Sequence, residues 1–111
     1  MAVNKAQEFN ERQIYTAEFA KALSHPARIA ILELLADRAT CICGDITDEL
    51  PLAQSTVSQH LKALKKVGLI KGEVEGVRVC YCLNEETVQE FEEVITAFAR
   101  QLKISTQKNC C

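Results

Sequence analysis

At 111 residues the chain has the length of about one domain, and 48% hydrophobic and 25% charged residues with only 4 Gly and 2 Pro exclude disordered, collagen-like and linker-rich architectures. A chain of this size buries roughly 60–70% of its extended surface and holds a core without staples. The formal net charge of -2 gives no sign of a nucleic-acid partner when taken whole, so any such sign has to come from its distribution.

Residues 6–23 carry Tyr15, Phe19 and Leu23 at i, i+4 and i+8, with Ala22 beside them, a spacing that predicts an amphipathic helix. Ser24-His25-Pro26 predicts a stop and restart, because Ser24 or His25 can cap and Pro26 suits the first helical position. The helix expected over 26–36 is apolar nearly all round (Ile29, Ile31, Leu32, Leu34, Leu35), which places it in mid-core. Arg28 and Glu33 interrupt this longest apolar stretch, so no segment is expected to span a membrane. Residues 1–10 lack the apolar run of a secretory signal, and a cytoplasmic location is expected.

Residues 40–44 read either as a brief extended segment or as the start of the next helix. A short helix over 45–50 is ended by Pro51, residues 51–54 connect, and Ser55 is the expected N-cap of a helix over 56–67. That helix has Val57, Leu61 and Leu64 on its apolar face and Gly68 at the position that favours glycine after a helix. A hairpin follows. Leu69, Ile70 and Lys71 lead up, Glu75-Gly76 turns, and Val77, Val79, Tyr81 and Leu83 alternate with Arg78, Cys80 and Cys82. Asn84 is placed to cap a last helix over 85–103 with the stripe Val88, Phe91, Ile95, Phe98 and Leu102; its acids crowd the first half and Arg100 and Lys103 its end, as the helix dipole prefers. The predicted class is mainly α with a small β hairpin (α+β), a winged helix-turn-helix domain over 1–103 followed by a polar tail over 104–111.

In that arrangement the second helix of the pair enters the major groove and its N-terminal residues meet base edges. Here they are Gln54, Ser55, Thr56, Ser58, Gln59, His60 and Lys62. Glutamine pairs bidentately with adenine, and Ser, Thr and Lys reach bases or phosphates. A solvated helix face has the same composition, so the side chains alone leave both readings open. The charge distribution bears on the choice. Residues 54–83 hold Lys62, Lys65, Lys66, Lys71 and Arg78 against Glu73 and Glu75, a net of +3, while the remainder is net -5. Lys71 and Arg78 flank the wing as phosphate candidates, and Glu73 and Glu75 near its tip argue against deep minor-groove insertion.

The run Gln54-Ser-Thr-Val-Ser-Gln-His-Leu-Lys-Ala-Leu-Lys-Lys-Val-Gly-Leu-Ile70 closely resembles the recognition-helix motif of the ArsR/SmtB family of bacterial metal-responsive repressors. The resemblance extends upstream to Leu23-Ser-His-Pro-Ala-Arg-Ile-Ala-Ile-Leu32 and downstream to Tyr81-Cys-Leu-Asn84, covering roughly residues 20–102. It implies a homodimer, joined through its first and last helices, that holds a double-stranded DNA operator until an inducer releases it. The helix stripes agree with a dimer, although a monomer core makes the same stripes.

Six cysteines stand in three pairs: Cys41 and Cys43, Cys80 and Cys82, Cys110 and Cys111. In a cytosolic chain such clusters more often bind metal or sense redox state than form a disulfide scaffold. Relatives that sense zinc, nickel or cobalt through the last helix use His and carboxylate pairs there, whereas His25 and His60 both lie elsewhere and Glu90 with Glu93 makes a poor transition-metal site. Soft-ion sensors of the family instead carry Glu-Leu-Cys-Val-Cys-Asp-Leu before the helix-turn-helix. Thr40-Cys-Ile-Cys-Gly-Asp-Ile46 is similar but sets its thiols one position earlier, and buried structural cysteines remain an alternative.

In winged helices this segment usually pairs with the second wing strand. Ile42 and Tyr81 would then face the core, and Cys41, Cys43, Cys80 and Cys82 would share the opposite face at ~5 Å between directly opposed Cβ atoms. Surface cysteines on a strand are the plainer alternative for Cys80 and Cys82. Cys110-Cys111 has nothing to pack against on a polar tail; it is either a vicinal thiol pair for a soft ion or a dispensable terminus. The expected inducer is arsenite or antimonite, As(III) or Sb(III), with Cd(II) and Pb(II) as competitors, all sulfur-seeking; DNA binding itself requires no cofactor. A thiol-redox switch on the same cysteines and a protein-binding helix-turn-helix are the alternatives. An enzyme is not expected, because the spacing is Cys-x-Cys rather than Cys-x-x-Cys and no base accompanies a nucleophile.

Overall fold

Asn10 starts the first helix. Its side chain accepts the Gln13 N–H at 2.8 Å while the Gln13 side chain accepts the Asn10 N–H at 3.0 Å, a reciprocal box that satisfies two otherwise unpaired donors. The computed structural model of the protein describes residues 8–38, 41–43, 46, 49–76 and 78–106. Helix α1 (Glu11–Ala22) therefore begins later than the apolar spacing predicts, and residues 6 and 7 of that expectation lie outside the described part.

Helix α2 (Pro26–Arg38) restarts the chain as expected, and of the two cap candidates it is His25 that acts. Its Nδ1 accepts the Ala27 N–H at 2.9 Å and its carbonyl accepts the Arg28 N–H at 2.9 Å. The helix is not buried all round. Ala27, Ile31 and Leu35 form the buried stripe at i, i+4 and i+8, whereas Ile29 is 39% exposed, because within one chain α2 packs through a single face.

A three-stranded antiparallel sheet follows, in the order β1-β3-β2 with β3 central. Strand β1 (Ile42–Cys43) pairs with β3 (Arg78–Leu83), setting Ile42 opposite Tyr81 and Cys43 opposite Cys80. Strands β3 and β2 (Ile70–Glu75) form the wing hairpin around Gly76, whose φ is 65°. The short helix expected over 45–50 falls mostly outside the described residues; of it, Ile46 is buried and its carbonyl accepts the Glu49 N–H at 3.2 Å. Val77 also lies outside them.

Helix α3 (Gln54–Lys66) starts one residue before the expected cap. Ala53 is extended, its carbonyl accepts the Val57 N–H at 3.0 Å, and no side chain caps this end, so Ser55 belongs to the first turn. The other end matches expectation: Gly68 is at φ 87°, its N–H reaches the Lys65 carbonyl at 3.0 Å, and the Leu69 N–H reaches the Leu64 carbonyl at 3.2 Å. These are the two bonds of a Schellman motif, with Leu64 and Leu69 buried against the core.

Helix α4 (Glu85–Thr106) runs three residues past the predicted end, so the expected tail begins inside it. It lies against α1, where the Tyr15 hydroxyl donates to the Glu90 carboxylate at 2.6 Å and the Phe19 and Phe91 rings meet edge to face at 5.3 Å. That bond to Glu90, with burial, raises the Tyr15 phenol above its ordinary value. Phe19, Ile31, Leu35, Ile42, Val57, Leu64, Leu69 and Ile70 make the core, which draws on α1, α2, β1, α3 and β2. Among the described residues no buried side-chain nitrogen or oxygen lacks a hydrogen bond.

Candidate DNA-binding face and cysteine cluster

Helix α3 has one buried face and one open face. Val57, His60, Leu61 and Leu64 face inward, while Gln54, Ser55, Ser58, Gln59 and Lys62 are exposed and Thr56 is half-buried. Lys65 and Lys66 extend the exposed side toward the helix end. Six of the seven candidate base-reading residues thus lie on a continuous polar surface beginning at an uncapped helix N-terminus, where free backbone N–H groups and the helix dipole favour phosphate.

His60 stands apart. It is 8% exposed and its Nδ1 accepts the Arg28 Nε–H at 3.1 Å. Arg28 also donates from Nη1 to the Lys21 and Ala22 carbonyls at 3.2 and 3.4 Å. The His25 ring lies 4.4 Å from that of His60, centroid to centroid. This cluster ties the end of α1 and the start of α2 to the recognition helix. Burial, and then the electrostatic influence of neighbouring His25 and the Arg28 guanidinium, hold the His60 imidazole below its ordinary value. An inward-facing neutral ring was not legible from the sequence, which shows only a polar residue among polar residues.

On the wing, Lys71 is exposed on β2 and stands opposite Cys82 of β3, and Arg78 stands opposite Glu75 beside the turn. Lys71 therefore belongs to the cysteine face of the sheet as well as to the wing.

The cysteines meet as the strand register requires. Cys41 and Cys82 lie 4.4 Å apart at Cα, Cys43 and Cys80 4.0 Å, and each pair is joined as a disulfide. Such spacing belongs to directly opposed residues between the hydrogen-bonded rungs of an antiparallel ladder. The sequence placed these four residues on one face, and they are there. What differs is their burial: Cys80 and Cys82, on the central strand, are 3% and 9% exposed, whereas Val79 is 39% exposed. Cys80 and Cys82 each lie opposite a residue of β2, Glu73 and Lys71, and are bridged on the other side to Cys43 and Cys41.

A soft ion takes thiolate sulfur. Here the sulfur valences are closed in pairs, and among the described residues no group of three or more His, Cys, Asp or Glu side chains is arranged to hold an ion. In this form the four sulfurs do not fit a metal centre. Cys110 and Cys111 lie outside the described residues.

A polar recognition surface on α3, a buried hydrophobic underside and a three-stranded wing define a winged helix-turn-helix DNA-binding protein. Comparison with known proteins narrows this. Residues 25–71 match the family described as bacterial regulatory protein, arsR family. The chain is 38% identical to an HTH-type transcriptional regulator of Methanocaldococcus jannaschii over 86 residues, 77% of this chain and 96% of that one. It is 32% identical to the cadmium resistance transcriptional regulatory protein CadC homolog of Staphylococcus aureus over 107 residues, 94% and 86% of the two chains. Its backbone is similar to the solution structure of a homodimeric winged helix-turn-helix DNA-binding domain from Mycobacterium bovis, with a TM-score of 0.62 and 28% identity, covering 86% of this chain and 92% of that one. The chain belongs to the ArsR/SmtB family of transcriptional regulators.

Proposed function

We propose that the protein is a cytoplasmic transcriptional repressor whose homodimer holds a double-stranded DNA operator and releases it when Cys41–Cys82 and Cys43–Cys80 close as disulfides. The observation that carries this reading is the pairing itself: both bridges join the strand that leads into the helix-turn-helix to the central strand of the wing. Closing them fixes β1 on the wing and with it the entry to the DNA-reading elements; opening them leaves a two-residue ladder free to shift. A switch of this kind acts by favouring a dimer conformation whose two recognition helices no longer match the half-site spacing.

In this reading Gln54, Ser55, Thr56, Ser58, Gln59 and Lys62 contact DNA and Lys71 and Arg78 contact phosphate, while His60 sets the pose of α3. A second copy is favoured by exposed surface. On α4, Phe98, Leu102 and Ile104 are 46%, 51% and 59% exposed, and Phe98 and Leu102 line a groove shared with α1; these are the two helices through which the dimer is proposed to form.

The test is operator affinity in the two sulfur states. A duplex selected by the protein from a random-sequence pool is titrated by fluorescence anisotropy in reductant and again after peroxide. Affinity at least tenfold weaker after oxidation is expected in the wild type and not in the variant carrying Ser at 41, 43, 80 and 82. Equal affinity in both states refutes the redox reading.

A second reading, release by a thiophilic ion, is favoured by the same convergence. Once reduced, the four cysteines offer thiols on one face, to which Cys110 and Cys111 would add donors. Arsenite or antimonite suits such a set, with cadmium or lead as competitors, and one relative carries cadmium resistance in its name. Loss of DNA binding on adding arsenite under reductant, without peroxide, selects this reading over the first.

A further inference from the structure

The two bridges are not equivalent. Cys41 is exposed, and it lines, together with Cys82, a cleft of about 660 Å³ whose walls include Lys71, Glu73, Glu85 and Glu86. The Cys43–Cys80 pair does not line that cleft, and Cys80 is 3% exposed. The third strand adds an electrostatic difference. Cys82 stands opposite Lys71 on β2, whereas Cys80 stands opposite Glu73, and directly opposed side chains are ~5 Å apart at Cβ.

We propose that Cys41 is the site at which low-molecular-weight thiols open the cluster, that the Cys41–Cys82 bridge opens before Cys43–Cys80, and that cationic and neutral thiols do this faster than anionic ones. The inference rests on the reading that these sulfurs change redox state in the working protein, but its test does not use DNA.

The reaction is thiol–disulfide exchange. A thiolate attacks Cys41 Sγ along the line of the S–S bond, from the side that solvent reaches. A bond forms between the thiol sulfur and Cys41, the Cys41–Cys82 bond breaks, and its electron pair leaves on Cys82 Sγ, which takes a proton from water. A second thiolate then attacks the outer sulfur of the mixed disulfide, releasing the small disulfide and leaving Cys41 reduced. Two small thiols are oxidised and one protein bridge is reduced by two electrons.

The rate follows how well the leaving sulfur bears negative charge. A lysine opposite Cys82 stabilises that charge; a carboxylate opposite Cys80 opposes it at the inner bridge. The cleft selects the attacking thiol. Lys71 offsets one of its three carboxylates, leaving net negative charge even after the roughly half positive charge at the α4 N-terminus is counted.

The experiment uses the full-length oxidised protein. Cysteamine, 2-mercaptoethanol and 2-mercaptoethanesulfonate are added at matched thiolate concentrations, the reaction is quenched with N-ethylmaleimide, and labelled cysteines and adducts are mapped by mass spectrometry. Labelling at Cys41 and Cys82 before Cys43 and Cys80, with the transient adduct on Cys41, is expected. Cysteamine should react about tenfold faster than the sulfonate at 10 mM ionic strength, the difference fading toward 1 M salt as the Debye length falls from about 30 to about 3 Å. Lys71→Gln should slow opening of the outer bridge, and Lys71→Arg should retain it.

Earlier labelling of Cys43 and Cys80, an adduct on Cys82, equal rates for the three thiols at low salt, or absence of the Cys41–Cys82 pairing in the starting material would each overturn the inference. Unchanged operator affinity across the two states would sink the redox reading instead, leaving the order of labelling as it stands.

Discussion

The nesting of the two bridges makes their energetics non-additive, and the size of the effect follows from the chain between them. Cys41 and Cys82 are 41 residues apart and Cys43 and Cys80 37. Closing a loop of either length in the unfolded chain is worth about 4 kcal/mol in the chain-entropy description. With one bridge already closed, the other closes only the short ring through the neighbouring rungs, worth about 2 kcal/mol by the same relation. Removing either bridge alone should therefore lower stability by about 2 kcal/mol, and removing both by about 6 kcal/mol. The unfolding entropy of a chain this long is near 0.23 kcal/mol/K, so the full loss corresponds to a drop in Tm on the order of 25 °C.

The assay compares thermal and denaturant unfolding at one fixed protomer concentration. The four species are oxidised wild type, the Cys41→Ser/Cys82→Ser and Cys43→Ser/Cys80→Ser pairs, and wild type in reductant. The Ser pairs are also measured reduced, which subtracts the packing effect of the hydroxyls. If each single removal already costs about 4 kcal/mol and the two simply add, the nested-loop reasoning is wrong. If full reduction costs under about 2 kcal/mol, the bridges do not hold the fold in this way.

Three further outcomes are expected. Gly68→Ala should destabilise by about 1–2 kcal/mol in denaturant melts, because Gly68 sits at φ +87° and an added Cβ would meet Thr87 Oγ1 at 3.1 Å; no change would contradict the left-handed cap. The His60 pKa is lowered in the fold, so below the ordinary value near 6.5 the unfolded chain binds the extra proton more readily. This part of the stability is complete above that pH and is lost as pH falls below it, and a His60→Gln variant should show a flatter profile between pH 7.5 and 5. Operator binding should weaken steeply with salt, and Lys62→Gln should reduce the log–log slope by about one for each phosphate that Lys62 neutralises, or about two per dimer.

Much of this structure was legible in the sequence because its signals are local. Pro26 at a helix start, Gly68 after a helix end and Gly76 in a turn each impose a backbone state that few other residues accept, and all three appear where expected. The face shared by four cysteines was legible for a similar reason, since a two-residue period and the usual pairing of this segment with the second wing strand settle which side chains share a face; the structure supplies the register, Ile42 opposite Tyr81. What the sequence hid depends on tertiary contact. Ser55 looks like a cap, but the chain is already helical at Gln54, with Ala53 supplying the first carbonyl. His60 reads as a groove residue until Arg28, from another helix, supplies the donor that turns it inward. The sulfur state was also hidden, because composition brings thiols together without saying whether they close.

The cysteine cluster and the DNA face are linked by a short route that both ends use. Strand β3 carries Cys80 and Cys82 and ends at Leu83. The next residue, Asn84, donates its N–H to the Leu69 carbonyl at 3.0 Å, and its own carbonyl accepts the Val88 N–H at 2.9 Å. Leu69 is also the residue whose N–H closes the end of the recognition helix on Leu64. Three adjoining backbone bonds thus join the cysteine strand, the C-terminus of α3 and the first turn of α4, the helix proposed to carry the dimer. Contiguity alone does not make a switch; a two-state element is needed whose states both ends feel. The β1–β3 ladder, bridged or unbridged, is that element in the proposed mechanism. Because Asn84 acts through backbone groups, Asn84→Ala should leave the route intact, with the oxidised-to-reduced affinity ratio unchanged. Asn84→Pro removes the N–H that reaches Leu69 and should reduce that ratio toward one while the bridges still form. An undiminished ratio in the proline variant would mean that the signal reaches the recognition helix by way of β1 and the preceding turn instead.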